Sequence, residues 1–248
     1  MFLKRFKKTE NPKKSFVIVH GLGEHSGRYE FLINRLLDLN YEIIIFDLPG
    51  HGLSEGKRGH IKDIYKVYDY IKEISPEKFI LFGHSLGGLI ALRYTEYSDK
   101  KPEKLILSSP AVGKLYTPFQ KFLSNFLGIF GSLTIGNGID PKDLCHDDEA
   151  IKKYIDDPLV HNKISLKTAK QIFLEAEKAL EESEKLNIPV LLQYGEMDNI
   201  INVAGLKSLS EKLNNAIIQK HKYAKHEVFN EPKYKEAFIS NLIEFIEN

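Results

Sequence analysis

The stretch Gly83-His84-Ser85-Leu86-Gly87 carries the most specific chemistry in the chain. It joins the unbroken apolar run Phe79-Ile80-Leu81-Phe82 to the helix-like LIALRYTEY. Such a run suits a strand buried on both faces of a parallel sheet. A serine at the apex of so tight a strand-to-helix turn takes strained backbone angles and presents its hydroxyl outward. Glycine at 83 and 87 removes Cβ atoms that would collide across the turn, and the helix N-terminus behind Ser85 favours developing negative charge. The chemistry would be attack by the Ser85 hydroxyl on a carbonyl carbon. That reaction needs a base for the hydroxyl proton, an acid to orient the base, and N–H donors for the oxyanion.

The elements that must position these groups alternate along the chain. Residues 2–6 alternate apolar and basic, as an exposed edge strand does. Asn11-Pro12 then turns the chain into a buried strand over 15–19. A helix over 28–39, a strand over 41–46 and a helix over 61–74 lead to the strand before Ser85, and a fourth buried strand covers 104–107. After an interruption, the pattern predicts a strand over 188–194, a helix near 203–213, a strand over 216–219 and a helix over 233–247. This alternation predicts a doubly wound, mostly parallel sheet. Combined with the Ser85 turn it predicts an α/β-hydrolase fold, in which the triad runs Ser, acid, His.

That order directs the search downstream of Ser85. Gly195-Glu196-Met197-Asp198 follows the strand ending at Tyr194, so Asp198 is the predicted acid. Glu196 is the alternative, closer to the strand and placed to belong to the turn. His226, in the loop over 222–227, is the predicted base. His221 is its rival but continues the strand, while His146 and His161 belong to the interruption. For the oxyanion, one N–H comes from Leu86 and the other from the loop His20-Gly21-Leu22-Gly23, where Leu22 is assigned. His20 reads as a packing and hydrogen-bonding residue.

The interruption, 113–184, is expected to form a cap on a core made of 1–112 and 185–248. Residues 115–133 are apolar around too much of a helix for an ordinary surface element. Helices over 147–155 and 165–182 follow, which predicts an all-helical insert over the C-terminal edge of the sheet, where α/β folds bind ligands. The bland alternative is a satellite core. The aromatic-rich stretch suits an apolar pocket, a lid in transient contact with membrane or micelle, or a homodimer contact.

Composition narrows the rest. The 248 residues are 42% hydrophobic, enough for one sizeable core, and the net charge of +1 points to no nucleic-acid partner. One cysteine, Cys145, excludes an internal disulfide framework. The basic start has too short an apolar run for a signal peptide, so a cytoplasmic location is the default expectation. Lysine in excess of arginine fits a thermophile, and an AT-rich genome equally. His20, His25, His51 and His60 do not recur with a carboxylate on one helix face, so no metal is expected.

Several longer blocks go beyond the shared serine turn. HGLGEHSGRYEFL from His20, FDLPGHGLSEGKRGHI from Phe46, GHSLGG from Gly83, YIDDPLV from Tyr154, LLQYGEMDNIINVAG and the His226 loop resemble the monoacylglycerol lipase/lysophospholipase-like family of serine hydrolases. The resemblance implies a capped α/β-hydrolase that cleaves monoacylglycerols or other single-chain acyl esters, a small-molecule substrate, without a cofactor. It also implies that Glu24, Arg28 and Tyr154 stand near the alcohol end of the site. The chain departs from the family in having room for a single strand before Ser15, and its apolar cap stretch matches by character only. A general carboxylesterase or lysophospholipase is the nearest alternative, and a haloperoxidase-like or carbon–carbon hydrolase would share the triad. An aminopeptidase would need acidic cap residues, and none stands between Gly113 and Ile139. A catalytically silent hydrolase fold that binds a ligand is the alternative of a different class.

Overall fold

The computed structural model describes residues 1–113 and 131–248. Leu3–Phe6 (β1) is an edge strand, antiparallel to Glu42–Phe46 (β3). Ser15–Val19 (β2), β3, Phe79–His84 (β4), Lys104–Ser108 (β5), Val190–Gly195 (β8) and Ala216–His221 (β9) run parallel, and the order is β1-β3-β2-β4-β5-β8-β9. The doubly wound, mostly parallel sheet expected from the alternation is therefore what forms.

Period-2 burial explains how the two faces are filled. Val17, Ile44, Leu81 and Leu105 point to one face, where Tyr65–Ile74 (α2), Leu86–Tyr97 (α3) and Val203–Lys212 pack. Phe16, Ile18, Ile43, Ile45, Ile80 and Phe82 point to the other, against Glu30–Asp38 (α1) and Lys235–Glu247. Register levels the strand ends. Val19 pairs with Gly83, His84 with Ser108, Ser108 with Gln193 and Gly195 with His221. The loops that leave β2, β4, β8 and β9 thus emerge along one edge, and they carry Leu22, Ser85, Asp198 and His226.

Between β5 and β8 the described residues form Thr134–Gly136 (β6), Asp148–Asp156 (α4), Lys163–Ser165 (β7) and Leu166–Glu182 (α5). The all-helical expectation is corrected here, because β6 and β7 pair antiparallel as a two-stranded ribbon. Each strand has three residues, too few for a period-2 signal, and much of the ribbon's support is non-local. Ser165 N–H donates to Gly59 O at 2.9 Å and His161 N–H to Gly23 O at 2.8 Å. The two helices start where polar caps allow: Asp147 accepts from the N–H groups of Glu149 and Ala150, and the Ser165 hydroxyl accepts from Thr168. The apolar stretch over 115–133 lies outside the described residues up to 130, and Leu133 at its end is exposed.

The helix expected over 61–74 begins only at Tyr65. Ile61 and Ile64 are buried as their periodicity predicts, but their N–H groups bond to Thr168 Oγ1 and Gln171 Oε1 of α5. Arg93 on α3 binds Glu175 at 2.9 Å and Glu182 at 2.6 Å, which fastens α5 to the core. Among the described residues no helix is long and apolar enough to cross a membrane.

Candidate active site

Ser85 occupies the turn between β4 and α3 with φ 53° and ψ −119°, a region L-residues rarely visit. Three bonds hold it there. Its N–H donates to Ser108 O, and its carbonyl accepts from the N–H groups of Leu89 and Ala111, each at 3.0 Å. The glycines act as the spacing requires: a Cβ at Gly83 would stand 2.2 Å from Gly87 O, and one at Gly87 would stand 2.1 Å from Val19 O. The second contact presses α3 against the end of β2, so the loop over 20–25 reaches Ser85.

Asp198 and His226 meet although their loops are 28 residues apart. His226 Nδ1 is 2.7 Å from Asp198 Oδ2, and Asp198 Oδ1 accepts from the N–H groups of Ile200 and Ile201 at 2.9 Å each. Burial favours the neutral acid, but the His226 ring and those two N–H groups hold the Asp198 carboxyl below its ordinary value. Asp198 therefore accepts the Nδ1 proton, and Nε2 is left as the basic nitrogen of His226. Burial also opposes charge on His226, yet the Asp198 carboxylate outweighs it and raises the imidazole above its usual value. The Ser109 hydroxyl donates to His226 O at 2.9 Å, which ties the His226 loop to the end of β5. Ser85 and His226 line one small pocket.

The rival residues stand elsewhere. Glu196 is exposed, and His221 ends β9 with its Nε2 3.3 Å from Gln193 Oε1. His146 pairs with Glu231, and His161 lies against His51.

Leu22 and Leu86 both border the cavity beside Ser85. The backbone of Gly21, whose carbonyl shares a peptide with the Leu22 N–H, is held at both its N–H and its C=O. His20 Nε2 accepts from Leu48 N–H at 2.9 Å, so its Nδ1 carries the proton and donates to Gly21 O at 2.8 Å. In a trans peptide the N–H points opposite to the C=O, so fixing Gly21 O aims the Leu22 N–H. Gly21 N–H donates to Glu24 Oε1 at 2.5 Å. Burial lowers the His20 pKa, which keeps this neutral tautomer. His84, next to Ser85, is likewise pushed down, to about 4, by burial and by its neighbour His226.

Glu24, Arg28 and Tyr154 do come together. Arg28 donates to Glu24 at 2.8 Å, and its guanidinium lies 4.7 Å from the centre of the Tyr154 ring. Both Glu24 oxygens are already engaged, by Arg28, by Gly21 N–H and by the Tyr29 hydroxyl at 2.6 Å. Sequence reasoning missed Glu227, which binds Arg28 through two bonds of 2.6 and 2.9 Å. Its only sequence signal is an acid beside the candidate base. It also missed Asp157 of the YIDDPLV block, which pairs with His25 at 2.8 Å and ties the end of α4 to the loop after β2.

Two cavities meet at Ser85. One, of about 320 Å³, is walled by Leu22, Ile135, Ile139, Ile164, Ala169 and Ile172, among others. The other, of about 10 Å³, is bordered by Glu24, Arg28, Tyr154, His226 and Glu227. No group of three or more metal-ligating side chains converges among the described residues.

The family model described as serine aminopeptidase, S33, matches residues 10–233. The chain belongs to that family. This S33 family member is 32% identical to human monoglyceride lipase over 228 residues, 85% of this chain and 74% of that one. It is also 32% identical to an abhydrolase domain-containing protein of Dictyostelium discoideum over 249 residues, 95% of this chain but 26% of that protein. The crystal structure of a monoacylglycerol lipase from Paleococcus ferrophilus has a TM-score of 0.92 to it at 40% identity, covering 99% of this chain and 98% of that one. The resemblance to monoacylglycerol lipase/lysophospholipase-like α/β-hydrolases read from the sequence blocks is borne out.

Proposed function

We propose that the protein is a serine hydrolase of carboxylic esters that cleaves monoacylglycerols or similar single-chain acyl esters through an acyl-enzyme. The observation that carries this reading is the position of Ser85 between a roomy apolar cavity and a small polar pocket. An acyl chain fits the first, and the second leaves room for about one oxygen-sized atom beside Glu24, Arg28 and Tyr154, on the side where the alcohol would depart. Its likeness to a monoacylglycerol lipase at 40% identity over nearly the whole of both chains supports the same substrate class.

In this mechanism Ser85 Oγ attacks the ester carbonyl while His226 Nε2 takes its proton. Asp198 stabilises the imidazolium, and the N–H groups of Leu22 and Leu86 hold the oxyanion. His226 then returns the proton to the leaving alkoxide, and activates a water that releases the fatty acid. Arg28 and Tyr154 face the departing alcohol, and Glu24 holds Arg28. We read 113–184 as the cap, in which α5 and the β6–β7 ribbon wall the acyl cavity. Its apolar stretch is the part suited to meet lipid aggregates.

The family description raises aminopeptidase activity as a competitor. A substrate ammonium at the polar pocket would find both of its carboxylates, Glu24 and Glu227, already committed to Arg28 and to their other donors, which leaves no free acid to hold it. Hydrolysis of 1-octanoylglycerol and of an aminoacyl p-nitroanilide by the same preparation separates the two. Glycerol release with no p-nitroaniline supports the ester reading, and the reverse pattern overturns it.

A further inference from the structure

Glu227 is buried beside His226, and none of the steps above uses it. Its two oxygens grip Arg28 at 2.6 and 2.9 Å, and Oε2 also accepts from Asn230 Nδ2 at 2.7 Å. Its backbone N–H donates to Leu144 O at 2.7 Å. From Arg28 the contacts continue to Glu24 at 2.8 Å, and from Glu24 to Gly21 N–H, one peptide before the Leu22 donor. An unbroken line of charged and hydrogen-bonded groups therefore runs from the residue after the base to the loop that holds the oxyanion. The two ends come from positions about 200 apart in the chain (199 between Arg28 and Glu227).

Two buried carboxylates around one buried guanidinium are a poor way to gain stability. Desolvation of three charges offsets most of their mutual attraction, and apolar residues of similar volume often serve as well or better. What such a set does supply is a fixed geometry, because a guanidinium held bidentately has little freedom. We propose that Glu227 is a positioning residue, which locks the base loop to the oxyanion loop through Arg28 and Glu24. The proposal rests on the ester-hydrolase reading and deepens it.

Without the Glu227 charge, Arg28 keeps one carboxylate and is free to tilt toward Tyr154. Glu24 then loses its fixed partner, and the Gly21 N–H, one peptide before the Leu22 donor, loses its fixed acceptor. Misplacement on this scale costs about 10- to 100-fold in rate. Glu227→Gln should therefore lower kcat by about that factor while KM stays within roughly threefold, since the lost alignment acts in the transition state. The sharper test is a double-mutant cycle with Glu24→Gln. If the two residues act through one line, the double variant falls little below the worse single variant. The control pair is Glu227→Gln with Glu175→Gln, a buried carboxylate in the remote Arg93 cluster, and its effects should multiply. Rates of Ser85 labelling by a fluorophosphonate probe repeat the cycle without any ester substrate. An incorrect ester assignment would thus leave the labelling cycle intact. Multiplicative losses for Glu24→Gln and Glu227→Gln, an unchanged kcat, or an effect on KM alone would overturn the proposal. Should Glu227→Gln not fold, Glu227→Asp keeps the charge on a shorter arm and is read by the same cycle.

Discussion

Asp198→Asn changes one atom in the site and should nearly abolish turnover. Asp198 Oδ1 is already committed to two backbone N–H groups at 2.9 Å, so the amide oxygen keeps that side and the new Nδ2 faces His226. Two donors cannot share the 2.7 Å contact, so the His226 proton moves from Nδ1 to Nε2. That nitrogen can no longer accept from Ser85. The variant also loses the carboxylate beside the imidazolium. Two unit charges about 4 Å apart interact by about 4 kcal/mol at an effective dielectric near 20. That alone is about a thousandfold in rate, and the wrong tautomer carries the loss toward ~10⁴. The assay is kcat on a p-nitrophenyl ester across pH, beside a thermal melt that verifies folding. Glu196→Gln serves as the comparison, since Glu196 is exposed and should leave kcat unchanged. A folded Asp198→Asn variant within about tenfold of the wild-type rate would refute the assignment.

Other consequences can be checked in parallel. His226 must be neutral to act as base and its pKa is raised, so kcat/KM should climb with pH through a value above that of an ordinary histidine and level off beyond it. His84 titrates near 4 and should not contribute to that limb, so an acid limb at or below the ordinary histidine value would contradict the Asp198 pairing. Gly87→Ala places a Cβ 2.1 Å from Val19 O, backbone that cannot yield, and should cost several kcal/mol of stability along with activity. A melt unchanged from wild type would show that the turn tolerates the collision. Ala169→Phe fills part of the apolar cavity and should lower kcat/KM for long acyl chains by about 10-fold or more relative to short ones. An unaltered chain-length profile would place the acyl group elsewhere.

What was legible in the sequence was local. Unbroken apolar runs marked β2, β4, β5 and β8, and the glycine spacing around Ser85 followed from a clash that one turn imposes on itself. The pairing of Asp198 with His226 could be anticipated because each follows its own strand, and a parallel sheet brings all such loops to one edge. The residues that escaped notice depend on partners far along the chain. Glu227 is held through Arg28, and Asp157 through His25, each more than a hundred residues away. The β6–β7 ribbon was hidden for the same reason: three residues per strand carry no periodic signal, and the bonds that fix it reach to Gly23 and Gly59. The late start of α2 likewise depends on Thr168 and Gln171 taking N–H groups that a helix would leave for water.

The most direct test of the account is glycerol release from 1-octanoylglycerol by the wild-type protein and by Ser85→Ala. The account predicts saturable release by the wild type and none above background by the variant, with both folded. Release that survives in Ser85→Ala, or its absence from the wild type, would contradict the assignment of Ser85 as the nucleophile of a monoacylglycerol hydrolase.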